Sequence, residues 1–313
     1  MSVLDRGMRH LLLALARSER IKHLAVRLPV TASVVARFVP GETVADCLAA
    51  VRALAADGLL ASIDFLGEDT TSPAQAAAVR DGYLDLLTAL AASGLTATAE
   101  VSVKLTALGL LLPDGRALAR THAREICAAA TAHGTTVTID AEDHTTTDTT
   151  LGVVAELRQE FPATGAAVQA YLHRTIDDCA VLATTGSRVR LCKGAYAEPA
   201  EVAFQSAEEV SAAYVACARM LLAGNGYPML ATHDPQMIAA VGELARQVGR
   251  EPGSFEYQLL YGIRSDEQRR LAASGERVRV YVPFGTDWWG YFIRRLAERP
   301  ANLLFFVRAL FGR

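Results

Sequence analysis

Short β-branched or apolar runs return along this chain with helical stretches between them, and that alternation limits the fold more than any other feature. The expected strands are residues 59–65, 97–103, 135–141, 166–172, 188–192, 228–232, 255–260 and 277–282. Between them, segments such as 75–93 and 116–133 are rich in Ala, Leu, Arg and Glu, with apolar residues at the 3.6-residue period. Gly58, Gly94, Gly134, Gly186, Gly226 and Gly275 fall where these helices stop, the place where a left-handed residue closes a helix. Alternation of this kind implies parallel strands joined by helical crossovers. Eight strands at spacings of roughly 22–40 residues match a (β/α)8 barrel, which takes about 250 residues. The expected class is therefore α/β, with a barrel domain over 58–313 and a helical segment over 1–57. A doubly wound sheet competes with it, but Phe65 is followed by Leu-Gly-Glu-Asp rather than a G-x-G-x-x-G turn.

Composition excludes several classes of function. The 313 residues are 51% apolar and 21% charged, enough for a sizeable core and against global disorder. A net charge of −3 provides no basic excess for nucleic acid. Cys47, Cys127, Cys179, Cys192 and Cys217 are scattered without C-x-x-C spacing, which fits reduced thiols in the cytoplasm better than disulfides or structural zinc. No H-x-H or H-E-x-x-H pattern occurs, so no metal site is expected. No uncharged apolar run reaches the ~18 residues of a membrane span. The first twenty residues carry six charges around a Leu/Ala stretch and read as an amphipathic helix rather than a signal peptide.

Polar residues gather at the expected strand ends, which in a barrel form the active-site face. They include Asp64, then Lys104 in SVKLT, Asp140 in TIDAEDH, Gln169, and Arg190 with Lys193-Gly194-Ala195. Thr232-His233-Asp234, Glu256 with Gln258, and Tyr281 continue the set. Of the 31 basic residues only three are lysines, and two of those, Lys104 and Lys193, fall at strand ends. A lone strand-end Asp is often just the cap of the next helix, and a lone buried Lys is often a satisfied ion pair. The whole set on one face points to a site. Lys193 also suits a Schiff base, which keeps a barrel aldolase open. After the last strand, WWGYFIRRLAE places Tyr291, Arg294, Arg295 and Glu298 on one helical face. A solvated face of Arg–Glu pairs is the plain reading. Two adjacent arginines beside an aromatic also suit a carboxylate, if the helix lies over the barrel mouth.

Taken together, the motifs resemble the proline dehydrogenase family in its short monofunctional bacterial form, from about Arg37 to Arg308. They are SVKLT, TIDAED, RLCKGAY, ATHDP, FEYQLLYGIR, RVRVYVPFG and YFIRRLAERPAN, in that order. The resemblance implies a distorted TIM-type barrel whose last helix sits over the C-terminal face of the strands. It also implies noncovalent FAD, oxidation of L-proline to 1-pyrroline-5-carboxylate, and a quinone as final acceptor. By family pattern Asp140 and Arg190 are catalytic, and Lys104, Tyr281, Tyr291, Arg294 and Arg295 bind substrate. Asp140, Ala141, Gln169, Arg190, Lys193, Gly194, Ala195, Thr232 and His233 line the flavin, and Glu68 is a gate residue. Hydroxyproline as the preferred substrate stays open at this point. So do a homo-oligomer and peripheral contact with the inner face of a membrane, for which residues 303–311 are apolar enough. Phe284 and Trp289-Gly290 depart from the family pattern at the entry to the last helix.

Overall fold

The computed structural model describes residues 35–67, 70–184 and 186–297, without the side chains of 294–297. The elements alternate as expected. Helix α1 (Val44–Ala56) precedes β1 (Leu60–Phe65), α2 (Pro73–Ala92), β2 (Ala99–Val103), α3 (Gly115–Ala132) and β3 (Val137–Ile139). Then follow α4 (Thr147–Glu160), β4 (Gly165–Gln169), α5 (Thr175–Leu182), β5 (Arg188–Cys192) and α6 (Ala207–Ala223). The chain ends its described part with β6 (Tyr227–Ala231), α7 (Pro235–Gln247), β7 (Glu256–Leu260), α8 (Ser265–Ala273), β8 (Val278–Phe284) and α9 (Trp288–Ala297). All neighbouring strands pair in parallel, and β8 returns to β1 with Leu60 beside Arg279 and Asp64 beside Pro283. The sheet is a closed barrel, so the doubly wound alternative is excluded.

Local chemistry sets the element ends. Thr43 and Ser206 form capping boxes with Asp46 and Glu209, and Ser72 and Asp234 cap helices that begin with proline. Five of the six expected helix-stop glycines are left-handed; Gly226 is the exception. Its constraint is space, because a Cβ there would lie 2.6 Å from the Ser187 carbonyl oxygen.

Parity along the strands sorts the barrel into two cores. Ile63, Val101, Ile139, Val189, Leu230 and Val280 are buried in one apolar cluster with the helices outside the barrel. The alternate positions point inward and are largely polar: Ser62, Glu100, Ser102, Thr138, Arg190, Glu256, Gln258 and Arg279 are all buried. Barrel interiors are ordinarily filled by bulky branched apolar residues, so this one is unusual. A smaller cluster joins Val35, Phe38 and Val39 to Leu66, Ile263 and the Trp288, Trp289 and Phe292 face of α9. Leu66 and Ile263 follow β1 and β7, so this cluster packs the last helix over the C-terminal end of the strands. Among the described residues no helix is long and apolar enough to cross a membrane.

Candidate active site

Arg190 stands at the centre of the barrel, and its five N–H bonds all find acceptors from other strands. Nε donates to Gln258 Oε1 at 2.6 Å. Nη1 donates to Ser102 Oγ at 2.6 Å and Asp140 Oδ1 at 2.5 Å. Nη2 donates to Ser62 Oγ at 2.8 Å and reaches Glu100 Oε1 at 3.4 Å. Each serine also donates to the carboxylate beside it, Ser102 to Asp140 at 2.8 Å and Ser62 to Glu100 at 3.1 Å. The guanidinium thus sits between two serine-bridged carboxylates, one facing up into a cavity and one facing down.

Above Arg190, Lys104 Nζ donates to Asp64 Oδ2 at 2.6 Å and lies 3.9 Å from Asp140 Oδ2. The Tyr281 hydroxyl donates to Asp140 Oδ2 at 2.7 Å, and the Arg190 guanidinium lies 5.3 Å from the centre of the Tyr281 ring. Burial raises the Asp64 carboxyl, although Lys104 pulls the other way. Burial, with Asp140 and Asp64 nearby, raises the Tyr281 phenol well above its ordinary value, so it keeps its proton.

These groups form one end of a cavity of about 460 Å³. Ala141, Ala167 and Ala231 line it, and such small side chains leave the space open. Leu259 and Leu260 add apolar wall. Gly194 has φ +116°, and a Cβ on it would lie 2.3 Å from the Tyr171 ring, so backbone rather than side chain faces the space there. Lys193 Nζ bonds Asp234 Oδ2 at 2.9 Å and Ser211 Oγ at 3.0 Å. A Schiff-base lysine is desolvated or set beside another cation; Lys193 has a carboxylate partner instead. Gln169 is fixed by donating to the Glu142 carbonyl at 2.7 Å. The backbone N–H of Leu260 donates to His233 Nε2 at 2.9 Å, which places a neutral ring's proton on Nδ1. Cys192 packs its thiol on the Val168 carbonyl, and burial pushes it up to about 11, so it is no nucleophile at neutral pH.

Every described residue of the expected site lines this one cavity: Lys104, Asp140, Ala141, Gln169, Arg190, Lys193, Gly194, Ala195, Thr232, His233, Tyr281 and Tyr291. Glu68 and the side chains of Arg294 and Arg295 lie outside the described residues. Glu256 belongs elsewhere than the strand-end set: it opens β7 and pairs with Arg279 at 2.7 Å beneath the cavity. Sequence reasoning passed over Glu100, Arg188 and Arg279. Each is a charge at an inward-facing position of β2, β5 or β8, which read AEVSV, RVRLC and VRVYVPF, but only in β5 does a second charge repeat at period two.

Known proteins resemble most of this chain. The family model described as proline dehydrogenase matches residues 47–308. Proline dehydrogenase 1 of Bacillus subtilis (strain 168) is 39% identical over 274 residues, 88% of this chain and 89% of that protein. Proline dehydrogenase of Deinococcus radiodurans is 40% identical over 279 residues, with the same two shares. Among solved structures, proline utilization A of Bdellovibrio bacteriovorus, inactivated by N-propargylglycine, superposes with a TM-score of 0.81 at 26% identity. That likeness covers 90% of this chain, which spans only 34% of that much longer protein.

Proposed function

The chain belongs to the proline dehydrogenase family, and from that premise we propose that it oxidises L-proline to 1-pyrroline-5-carboxylate with bound FAD, and that a quinone reoxidises the flavin. The observation that carries the reading is the convergence of all twelve described candidate residues on one cavity at the strand ends.

The residues present fit a flavin. The alanine-lined space and the flush backbone at Gly194 suit a flat ring system, while Arg190 and Lys193 supply positive charge along it. Bound there, FAD would supply a two-electron acceptor for the hydride leaving C5 of proline, while the amine gives up a proton and C5–N becomes a double bond. The chain's own part is to bind and orient. Lys104, with Arg294 and Arg295, holds the substrate carboxylate by charge-assisted hydrogen bonds, and the carboxylate would compete with Asp64 for the Lys104 ammonium. Tyr281 and Tyr291 pack on the pyrrolidine ring and exclude water from it. The aromatic wall favours proline over its 4-hydroxy analogue, whose hydroxyl needs space and a partner. Asp140 holds Arg190 on one carboxylate oxygen and the Tyr281 hydroxyl on the other. Gln169, Thr232 and His233, with Ala141 and Ala195, line the flavin's side of the cavity. Glu68 would gate the mouth by pairing with Arg294.

The test is spectroscopic: purified protein is expected to carry flavin absorption near ~450 nm that bleaches on adding L-proline without oxygen. A refolded, FAD-supplemented sample that stays colourless overturns the reading. A colourless protein inactivated by borohydride together with substrate would move it to the Schiff-base lyase.

A further inference from the structure

Below Arg190 the barrel holds a second ionic assembly that no ligand in the cavity can touch. Glu100 is 1% exposed and is not part of the cavity wall. It is bonded by Arg188, lies 3.4 Å from Arg190 and 3.8 Å from Arg279, and accepts from the hydroxyls of Ser62, Thr136 and Thr138. Arg279 in turn pairs with Glu256, which also accepts from Tyr227 at 3.0 Å. Counting Asp140, three arginines face three carboxylates in the barrel interior.

Stability does not explain such an assembly. Desolvating so many charges costs about as much as their pairing returns, and well-packed apolar residues would serve a barrel core equally well. A local rule broken this thoroughly in a core marks a functional demand. The two arms of Arg190 show what the demand is. The Asp140 arm opens on the cavity, and the Glu100 arm closes the same guanidinium from behind through Ser62.

We propose that Glu100 is a positioning residue for Arg190, setting from beneath the cavity the net charge that a bound electron acceptor experiences. The proposal rests on the flavin reading above. Reduced flavin carries negative charge, so an uncompensated positive charge under it favours reduction, and an uncompensated negative charge opposes it. Burial opposes the charged form of Glu100, but Arg188, Arg279 and Arg190 more than offset it and hold its carboxyl at about 2. The negative charge is therefore in place at any working pH.

The experiment compares midpoint potentials of the flavin in the holoenzyme with those of three variants. Glu100→Gln removes one negative charge and is expected to raise the potential, shifting the reduction equilibrium about tenfold, or about 30 mV for a two-electron couple. Arg188→Met removes one positive charge from the side of Glu100 away from the cavity and is expected to lower it. The double variant restores balance and is expected to return to wild type. Opposite signs are the signature, since general damage to packing would move both single variants the same way. If Glu100→Gln fails to fold, the fall in Arg188→Met and its reversal in the double variant still decide. Equal potentials throughout, shifts of one sign, or a double variant that does not return overturn the role of Glu100 while leaving the flavin reading intact. Wild-type protein that takes up no flavin overturns both.

Discussion

The upper and lower halves of the barrel interior use the same chemistry for opposite ends. Both surround Arg190 with a serine and a carboxylate. In the lower half Glu100 is enclosed by three arginines and three hydroxyls, and nothing from outside can join. In the upper half Asp64, Lys104, Asp140 and Tyr281 also bond one another, yet all four line the cavity. A closed ionic cluster can only hold shape and charge. An open one can trade a partner, as Lys104 would when a substrate carboxylate arrives in place of Asp64. The difference between structural and chemical charge here lies in what stands next to the group, not in the group's type.

The sharpest break of that comparison is to remove one carboxylate from each half. Glu100→Ala leaves Arg188 without its carboxylate and weakens the compensation of Arg190 and Arg279, which keep Asp140 and Glu256, and is expected to cost roughly 3–5 kcal/mol of folding stability, read from urea unfolding. Asp140→Ala strips three charge-assisted bonds at the cavity edge, from Arg190, Ser102 and Tyr281. It is expected to lower kcat/KM for proline by about 100-fold or more with a smaller loss of stability, because water can reach the gap. The two halves should differ in pH response as well. Glu100 has a depressed folded-state pKa, so its contribution to stability is present above the ordinary carboxylate value of 4.5 and is lost as pH falls toward about 2. Acid unfolding of Glu100→Ala should lack that part of the slope. A variant pair with matching losses of stability and activity would show that the halves are one unit.

A smaller effect tests the open half alone. On the proposed role, Lys104→Met would remove one cationic contact to the substrate, expected to cost roughly 1.5–3 kcal/mol, or about 10- to 100-fold in kcat/KM. It also strands the Asp64 carboxyl, whose pKa burial already raises. Adding Asp64→Asn is expected to recover stability without recovering activity, since the neutral amide has no buried charge to compensate. Recovery of activity in the double variant would mean that Lys104 serves Asp64 and not the substrate.

How legible each half was in the sequence follows from the same contrast. The barrel could be read because glycine stops such as Gly134 and strand runs such as VTI at 137–139 repeat at helical-crossover spacing. The upper half could be read because Lys104, Asp140, Lys193 and His233 sit where strands give way to loops, and loops of a barrel share one face. The lower half could not. Glu100, Arg188 and Arg279 lie within or at the start of strands, where a charge by itself predicts a poor strand rather than a partner on the far side of a barrel. Which of them meet depends on register around the closed sheet, as where Ser62 stands beside both Glu100 and Tyr281. No local pattern carries that information. The RR pair at 294–295 and Glu68 were named from sequence and lie outside the described side chains.

The smallest expected effect probes the Tyr281 hydroxyl, which lies in the open half. Tyr281→Phe keeps the ring 5.3 Å from the Arg190 guanidinium, and deletes the donor to Asp140 Oδ2 together with a long 3.5 Å contact from Lys104 Nζ. Asp140 keeps its bonds from Ser102 and Arg190, which both fall on Oδ1. Its other oxygen faces the cavity, where water can take the vacated place, so the loss belongs at the low end for a bond to a charged group. That predicts a fall of about three- to tenfold in kcat/KM, with folding stability nearly unchanged. A Tyr281→Phe enzyme as damaged as Asp140→Ala would mean that the upper half tolerates no exchange of partners, and the contrast with the closed half would fail. An enzyme indistinguishable from wild type would leave the ring as Tyr281's only contribution, since the phenol keeps its proton and has no other charge to offer.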